Sequence, residues 1–200
     1  MIRRLSFVLA MMLLAAPAFS ARVPKPHATP MHAGKAAAIP SLPDSAAVLA
    51  LLAGVHNGAC PLPGLATGGQ PESTQVAALA KAGFKTVLDL RAADEVRGFD
   101  EDAAMKANGV RYVKLPVTPA TLNDVVFDQV RKLMTETGGS GVFVHCASGN
   151  RVGAALIPWL VLDRGWDVER AVTAAKAGGL KSAEMEATAR DYVARKRAKN

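Results

Sequence analysis

The segment Gly141–Leu162, GVFVHCASGNRVGAALIPWLVL, constrains the chain more than any other. Gly141–His145 is an apolar run of strand-forming residues and reads as a buried strand. Val152–Leu162 is apolar nearly all round, so its helix is expected to be central and covered. Only six residues, Cys146–Arg151, connect the two. A buried strand that turns tightly into a buried helix fits a sheet with helices packed on it. Pro158 sits inside the helical run and is expected to kink it or to free the Ala154 carbonyl.

The flanking sequence repeats the alternation. Leu65–Gly69 is a candidate first strand. Pro71–Ala82 reads as a helix, with Val76, Leu79 and Ala80 on one side and Gly83 as the stop. Thr86–Leu90 (TVLDL) is β-branched and apolar, hence a strand. Residues 98–108 suggest a helix stopped by Gly109, and Val110–Val117 the next strand. Thr121–Thr137 places Leu122, Val125, Val126, Val130, Leu133 and Met134 at helical spacing. Asp167–Ala177 and Ser182–Arg197 read as two further helices. The fold class is α/β: a mostly parallel central sheet flanked by helices on both faces. Ligands in such sheets bind beyond the carboxyl ends of strands, which points to the turn after Val144.

Each residue type in that turn has a chemical use. Successive amides of a tight loop converge into an anion-binding nest. The helix start adds unpaired amides and a positive dipole end. Cys146 at that place is expected to stand as a thiolate. Arg151 offers a planar fork for two oxygens of a tetrahedral anion. Gly149 permits the close approach or positive φ that a cradle needs. A nucleophile and an anion site in one feature are what phosphoryl transfer through a cysteinyl-phosphate requires.

The remaining composition narrows the class. Two cysteines in 200 residues make neither a disulfide-stapled mini-fold nor a four-Cys zinc site. The net charge of +7 belongs to the ends. Arg3, Arg4, Arg22, Lys25, Lys35 and the cluster Arg190–Lys199 carry it, whereas residues 60–189 hold 14 basic and 15 acidic residues. No nucleic-acid partner is expected. His27 and His32, five apart in a Pro-containing stretch, read as solvated histidines. Trp159 and Trp166 read as core.

Residues 1–20 have the three parts of a signal peptide: Arg3 and Arg4, the apolar run Leu5–Ala16, and small residues at the cleavage site. Cleavage is expected after Ser20, with Ala18 as the alternative. The run is too short to span a bilayer, so no stable membrane insertion is expected after cleavage. The location implied is outside the cytoplasm, a bacterial periplasm or the medium. Residues 21–55 read as a Pro/Ala-rich linker and residues 56–200 as the folded domain. In an oxidising compartment Cys60 and Cys146 could be free or bonded to each other.

HCASGNRVG resembles the active-site loop HCxxGxxR of the cysteine-dependent protein tyrosine and dual-specificity phosphatases. Together with TGGQPEST (Thr67–Thr74), AGFKTVLDLR (Ala82–Arg91) and YVKLPV (Tyr112–Val117), it makes residues 65–200 resemble the bacterial branch typified by the phosphatase-like domain of beta-lactamase hydrolase-like proteins. The resemblance implies hydrolysis of a phosphorylated protein or small phosphomonoester with no metal or organic cofactor. It implies Cys146 as nucleophile and Arg151 as phosphate-binding arginine. Ala147, Ser148, Gly149 and Asn150 would form the amide cradle, and His145 would help to stabilise the thiolate.

The chain departs from that pattern in three places. Four residues, not five, separate Cys146 from Arg151. Val152 stands where a Ser or Thr is common. The general acid is not evident: Asp124 is the one carboxylate in Pro116–Asp124 and is taken as the catalytic acid, although Thr121 and Asp124 also read as a capping box. Asp94 and Glu95 are its rivals, and Asp89 and Arg91 read as structural partners. The four-residue spacing also suits a rhodanese-like sulfurtransferase carrying a persulfide on Cys146. A non-catalytic oxyanion-binding module is the third alternative.

Overall fold

The computed structural model describes residues 42–199. The signal-peptide reading of 1–20, most of the linker reading, and His27 and His32 lie outside the described residues.

Five strands form one sheet in the order β1-β2-β5-β3-β4. They are β1 Ala59–Leu62, β2 Leu65–Gly68, β3 Thr86–Asp89, β4 Arg111–Lys114 and β5 Val142–His145. The pair β1–β2 is antiparallel and every other pair is parallel, so the mostly parallel sheet of the sequence reading is present. Central β5 pairs Val142–His145 with Leu65–Gly68 on one side and with Thr86–Asp89 on the other. That register sets Gly68, Asp89 and His145 side by side at the carboxyl edge.

Among the described residues seven helices cover the two faces: α1 Ser45–Leu51, α2 Ser73–Lys81, α3 Glu101–Ala107, α4 Asp124–Glu136, α5 Asn150–Leu162, α6 Val168–Ala177 and α7 Ala183–Arg197. Alternate strand residues point to opposite faces. Leu65, Leu88, Val142 and Val144 join the core under α4–α7, whereas Ala66, Val87 and Phe143 join the core of α1–α3. Helix α5 is the hub of the first core, packing against α4, α6 and α7. Every residue from Val152 to Val161 is buried, as its all-round apolarity predicts. The helix continues through Pro158. Trp159 and Trp166 are core residues.

Four expectations need correction. The linker read over 21–55 overlaps α1, whose Val48 packs with Leu52 and Val55 under the sheet. Asp44 caps that helix by accepting from the Ala47 amide, a signal that a Pro/Ala-rich composition masks. Strand β1 was not anticipated, because its ACPL sequence has no alternation and carries a proline. The helix expected from Thr121 begins at Asp124, because the Asn123 side chain accepts from the amides of Val125 and Val126. Thr121 instead closes a reciprocal box with Thr118 around the single 3-10 turn Pro119–Thr121. Finally, α5 starts at Asn150 rather than Val152, which puts Arg151 in the first helical turn.

Candidate active site

The site lies at the carboxyl end of β5. The Cys146 amide continues the sheet by donating to the Gly68 carbonyl at 3.3 Å, after which the chain leaves the strand direction. Gly149 caps α5 with φ +85°, and a Cβ there would strike the Gly178 carbonyl. Both its backbone conformation and its surroundings therefore require glycine. The loop folds over its own cysteine, so that the Gly149 amide donates to Cys146 Sγ at 3.1 Å. Cys146 is buried and free, as is half-buried Cys60, so the two are not bonded.

The amides of Ala147, Ser148, Asn150 and Arg151 meet no acceptor among the described residues. Ala147 is exposed and Ser148, Asn150 and Arg151 are half-buried, so these amide hydrogens are open to water or to a ligand. The four-residue spacing thus still forms a cradle of amides at a helix N-terminus. The outer side of the loop is fastened from several segments. Gln70 N donates to the Ala147 carbonyl at 3.4 Å, and Asn57 Nδ2 to the Ser148 carbonyl at 2.8 Å. Asn150 Oδ1 accepts from the amides of Lys181 and Ser182 at 2.8 and 3.2 Å. The Asn150 side chain is therefore a strut, and only its backbone remains for the cradle. Val152 packs in the core under α5.

Arg151 is held along one edge. Nη1 and Nη2 grip the Glu95 carboxylate, the latter at 2.7 Å, and Nη1 also donates to the Val117 carbonyl at 2.8 Å. The hydrogen bonds from Arg151 hold the Glu95 carboxyl below the usual range against its partial burial, and Glu95 in turn raises the guanidinium. The guanidinium also faces the Cys146 sulfur, which adds to the rise. An open cavity of about 400 Å³ lies over this edge, lined by Asp94, Glu95, Pro119, Ser148, Arg151 and Met185 among others.

Asp124 is not brought to this cavity. It sits half-buried on α4, and Arg195 of α7 grips both of its oxygens at 2.6 and 2.7 Å. That ion pair holds its carboxyl below the ordinary value. There it makes a surface tie between helices, with a residue 71 positions away, and does not face the cavity. Of its two rivals, Glu95 is committed to Arg151, whereas Asp94 lines the cavity without a side-chain partner among the described residues.

Behind the loop, on the α3 side, lies a buried polar group. Arg91 binds Asp89 through Nε at 2.9 Å and Nη2 at 2.8 Å, and also binds Glu101. Tyr112 donates to Asp89 at 2.7 Å. Burial alone would raise Asp89, but the bonds from Arg91 and the other partners hold it well below the usual carboxylate range. Glu101 is raised, chiefly by burial. His145 is enclosed with both ring nitrogens 3.9 Å from carboxylate oxygens and unbonded. Burial pushes it down to about 4, so it is neutral at ordinary pH. A neutral ring lends the Cys146 sulfur no positive charge. Asp89, Glu101 and His145 are close enough to share a metal ion. The Arg91 guanidinium already bridges the two carboxylates there, which balances their charge and opposes a second cation.

Residues 63–195 match the model of a family described as DSP-PTPase phosphatase fused to NAD+ kinase. A beta-lactamase hydrolase-like protein from Xylella fastidiosa is 32% identical over 91 residues, covering 44% of this chain and 21% of that protein. The match thus spans about a fifth of that relative's length. Among solved structures, a DUF442 protein from Shewanella putrefaciens CN-32 superposes with a TM-score of 0.60 at 21% identity, covering 74% of this chain and 97% of the other. A Cys-to-Ser form of TpbA from P. aeruginosa, in complex with phosphotyrosine, gives 0.57 at 22% identity, covering 72% and 91%. At these identities the two structures speak to the fold.

Proposed function

The chain belongs to the DSP-PTPase phosphatase family, and we propose from that membership that it hydrolyses phosphomonoesters through a cysteinyl-phosphate on Cys146. The observation that carries the site assignment is the set of unpaired loop amides gathered at a helix start beside one sulfur and one guanidinium.

The non-bridging phosphate oxygens accept from the amides of Ala147, Ser148, Asn150 and Arg151 and from the guanidinium donors of Arg151 that Glu95 and Val117 do not hold. The Cys146 thiolate gives an electron pair to phosphorus as the bridging P–O bond breaks, and that bond's pair leaves on the alcohol oxygen. Asp94, the uncommitted carboxyl on the cavity wall, gives the oxygen its proton. Water then gives a proton back to the Asp94 carboxylate as it attacks phosphorus, the S–P bond breaks, and inorganic phosphate departs from the regenerated thiolate. Amides already in place need no reorganisation as charge spreads over the phosphoryl oxygens. The Gly149 amide stabilises the sulfur anion as nucleophile and again as leaving group, work that a hydroxyl after the arginine does in relatives and Val152 cannot do.

An open cavity suits an exposed phosphorylated side chain or a small ester, and the phosphotyrosine held by TpbA makes an aryl phosphate the first probe. The pattern of residues 1–20 supports action outside the cytoplasm.

The test uses p-nitrophenyl phosphate and a phosphotyrosine peptide. Cys146→Ser is expected to abolish turnover by a factor of about 10³ or more while retaining phosphate affinity. Turnover surviving this change would refute the proposal. So would Cys146-dependent release of thiocyanate from thiosulfate and cyanide with no phosphatase activity, which would favour the persulfide carrier.

A further inference from the structure

We infer that Asn57 is a positioning residue for the nucleophile: its side-chain amide holds the Ser148 carbonyl outward and so aims the Gly149 amide at the Cys146 sulfur. The inference rests on Cys146 being the nucleophile, and it concerns a residue upstream of the family match at 63–195.

The carbonyl of Ser148 and the amide of Gly149 belong to one planar trans peptide unit, so they point in opposite directions. Asn57 Nδ2 takes the carbonyl end at 2.8 Å and Sγ takes the amide end at 3.1 Å. Fixing one end therefore orients the other. A hydrogen bond to an anion is about twice as strong as a neutral one and depends on alignment. The orientation of this one peptide thus governs how well the sulfur anion is held.

Two further observations mark the contact as built. Asn57 has φ +53° and is the only non-glycine with positive φ among the described residues. Asparagine tolerates that conformation better than other side chains, but glycine relieves it fully. A side chain is therefore kept where the backbone alone favours none. Space is also cleared for it: a Cβ on Gly179 would stand 2.8 Å from both Asn57 Nδ2 and the Ser148 carbonyl oxygen. The turn carrying Asn57 is anchored in register with the site, because Gly69 N donates to the His56 carbonyl at 2.7 Å beside the bond from Gln70 to Ala147.

The test follows alkylation of Cys146 by iodoacetamide, a neutral reagent, at pH 6 with peptide-resolved mass spectrometry. Cys60 serves as the internal control. Asn57→Gly keeps the backbone conformation and loses only the amide. It is expected to slow alkylation of Cys146 about tenfold and to lower kcat/KM on p-nitrophenyl phosphate by a similar factor, with the Cys60 rate unchanged. Asn57→Asp keeps size and backbone tolerance but sets an acceptor against the Ser148 carbonyl, and is expected to do the same. A wild-type alkylation rate at Cys146 in either folded variant overturns the inference. Loss of cooperative unfolding in both also overturns it, because a positioning residue is dispensable for the fold. Slowed alkylation in variants of a protein with no phosphatase activity would sink the proposed reaction and leave the positioning role standing.

Discussion

Arg151 carries five N–H donors, and the structure commits one edge of them before any substrate arrives. Glu95 holds that edge, and Arg151 also lines the open cavity. Replacing Glu95 by Gln removes a charge-assisted, two-point contact worth about 1.5–3 kcal/mol. The expected result is a roughly tenfold rise in KM for p-nitrophenyl phosphate with a smaller fall in kcat. Steady-state kinetics distinguishes this from a competing role, in which freeing Arg151 would tighten phosphate binding. Asp94 is argued to be the proton donor, and leaving-group basicity tests it. Asp94→Asn is expected to slow an alkyl phosphate about a hundredfold but p-nitrophenyl phosphate far less, since nitrophenolate leaves without a proton. Equal loss on both esters would contradict that role. The placement of Asp124 is instructive at this scale. Its neighbours Thr121 and Asn123 are visible in the local sequence, but its partner Arg195 is not.

At the scale of elements, the parallel register of β3 and β5 brings Asp89 beside His145, and α3 delivers Glu101 to the same spot. The ring is buried neutral, with its folded pKa lowered to about 4 from the usual 6.5. The unfolded chain binds this proton between those values and the folded chain does not, so His145 makes stability fall as pH drops from about 6.5 toward 4. The loss by pH 5 is about 2 kcal/mol relative to pH 7. His145→Gln should flatten that part of the profile in denaturant titrations at pH 7, 6 and 5. Asp89, held low by Arg91, works in the same direction only further into acid, and Glu101, raised by burial, works against it. Most elements were legible to within a few residues because their apolar spacing is regular, α4 above all. Helix α1 and strand β1 were not: each is short and rich in Ala or Pro, and each becomes an element only because Val48 and the β2 edge give it something to pack on.

For the molecule as a whole, α5 ties the nucleophile loop to the core, since its first turn holds Arg151 and its remainder is buried against three helices. Trp159 lies in its middle, and a side chain on Gly139 would strike the indole ring. Trp159→Ala opens a large cavity and is expected to cost about 3–5 kcal/mol. Thermal unfolding should register this as a fall in Tm of roughly 10 °C or more. The basic tail is largely spent within the fold: Arg190 pairs with Glu169, Arg195 with Asp124 and Lys196 with Asp128.

From the sequence alone one can read an α/β fold and the place where a thiol and a guanidinium meet an anion, because both rest on local order: strand, six-residue turn, helix. The strand order, the Glu95 lock, the tie of Asp124 to Arg195, the neutral state of His145 and the hold of Asn57 on the loop came only with the tertiary structure. Each depends on groups distant in the chain becoming neighbours, and on how much water that closeness removes.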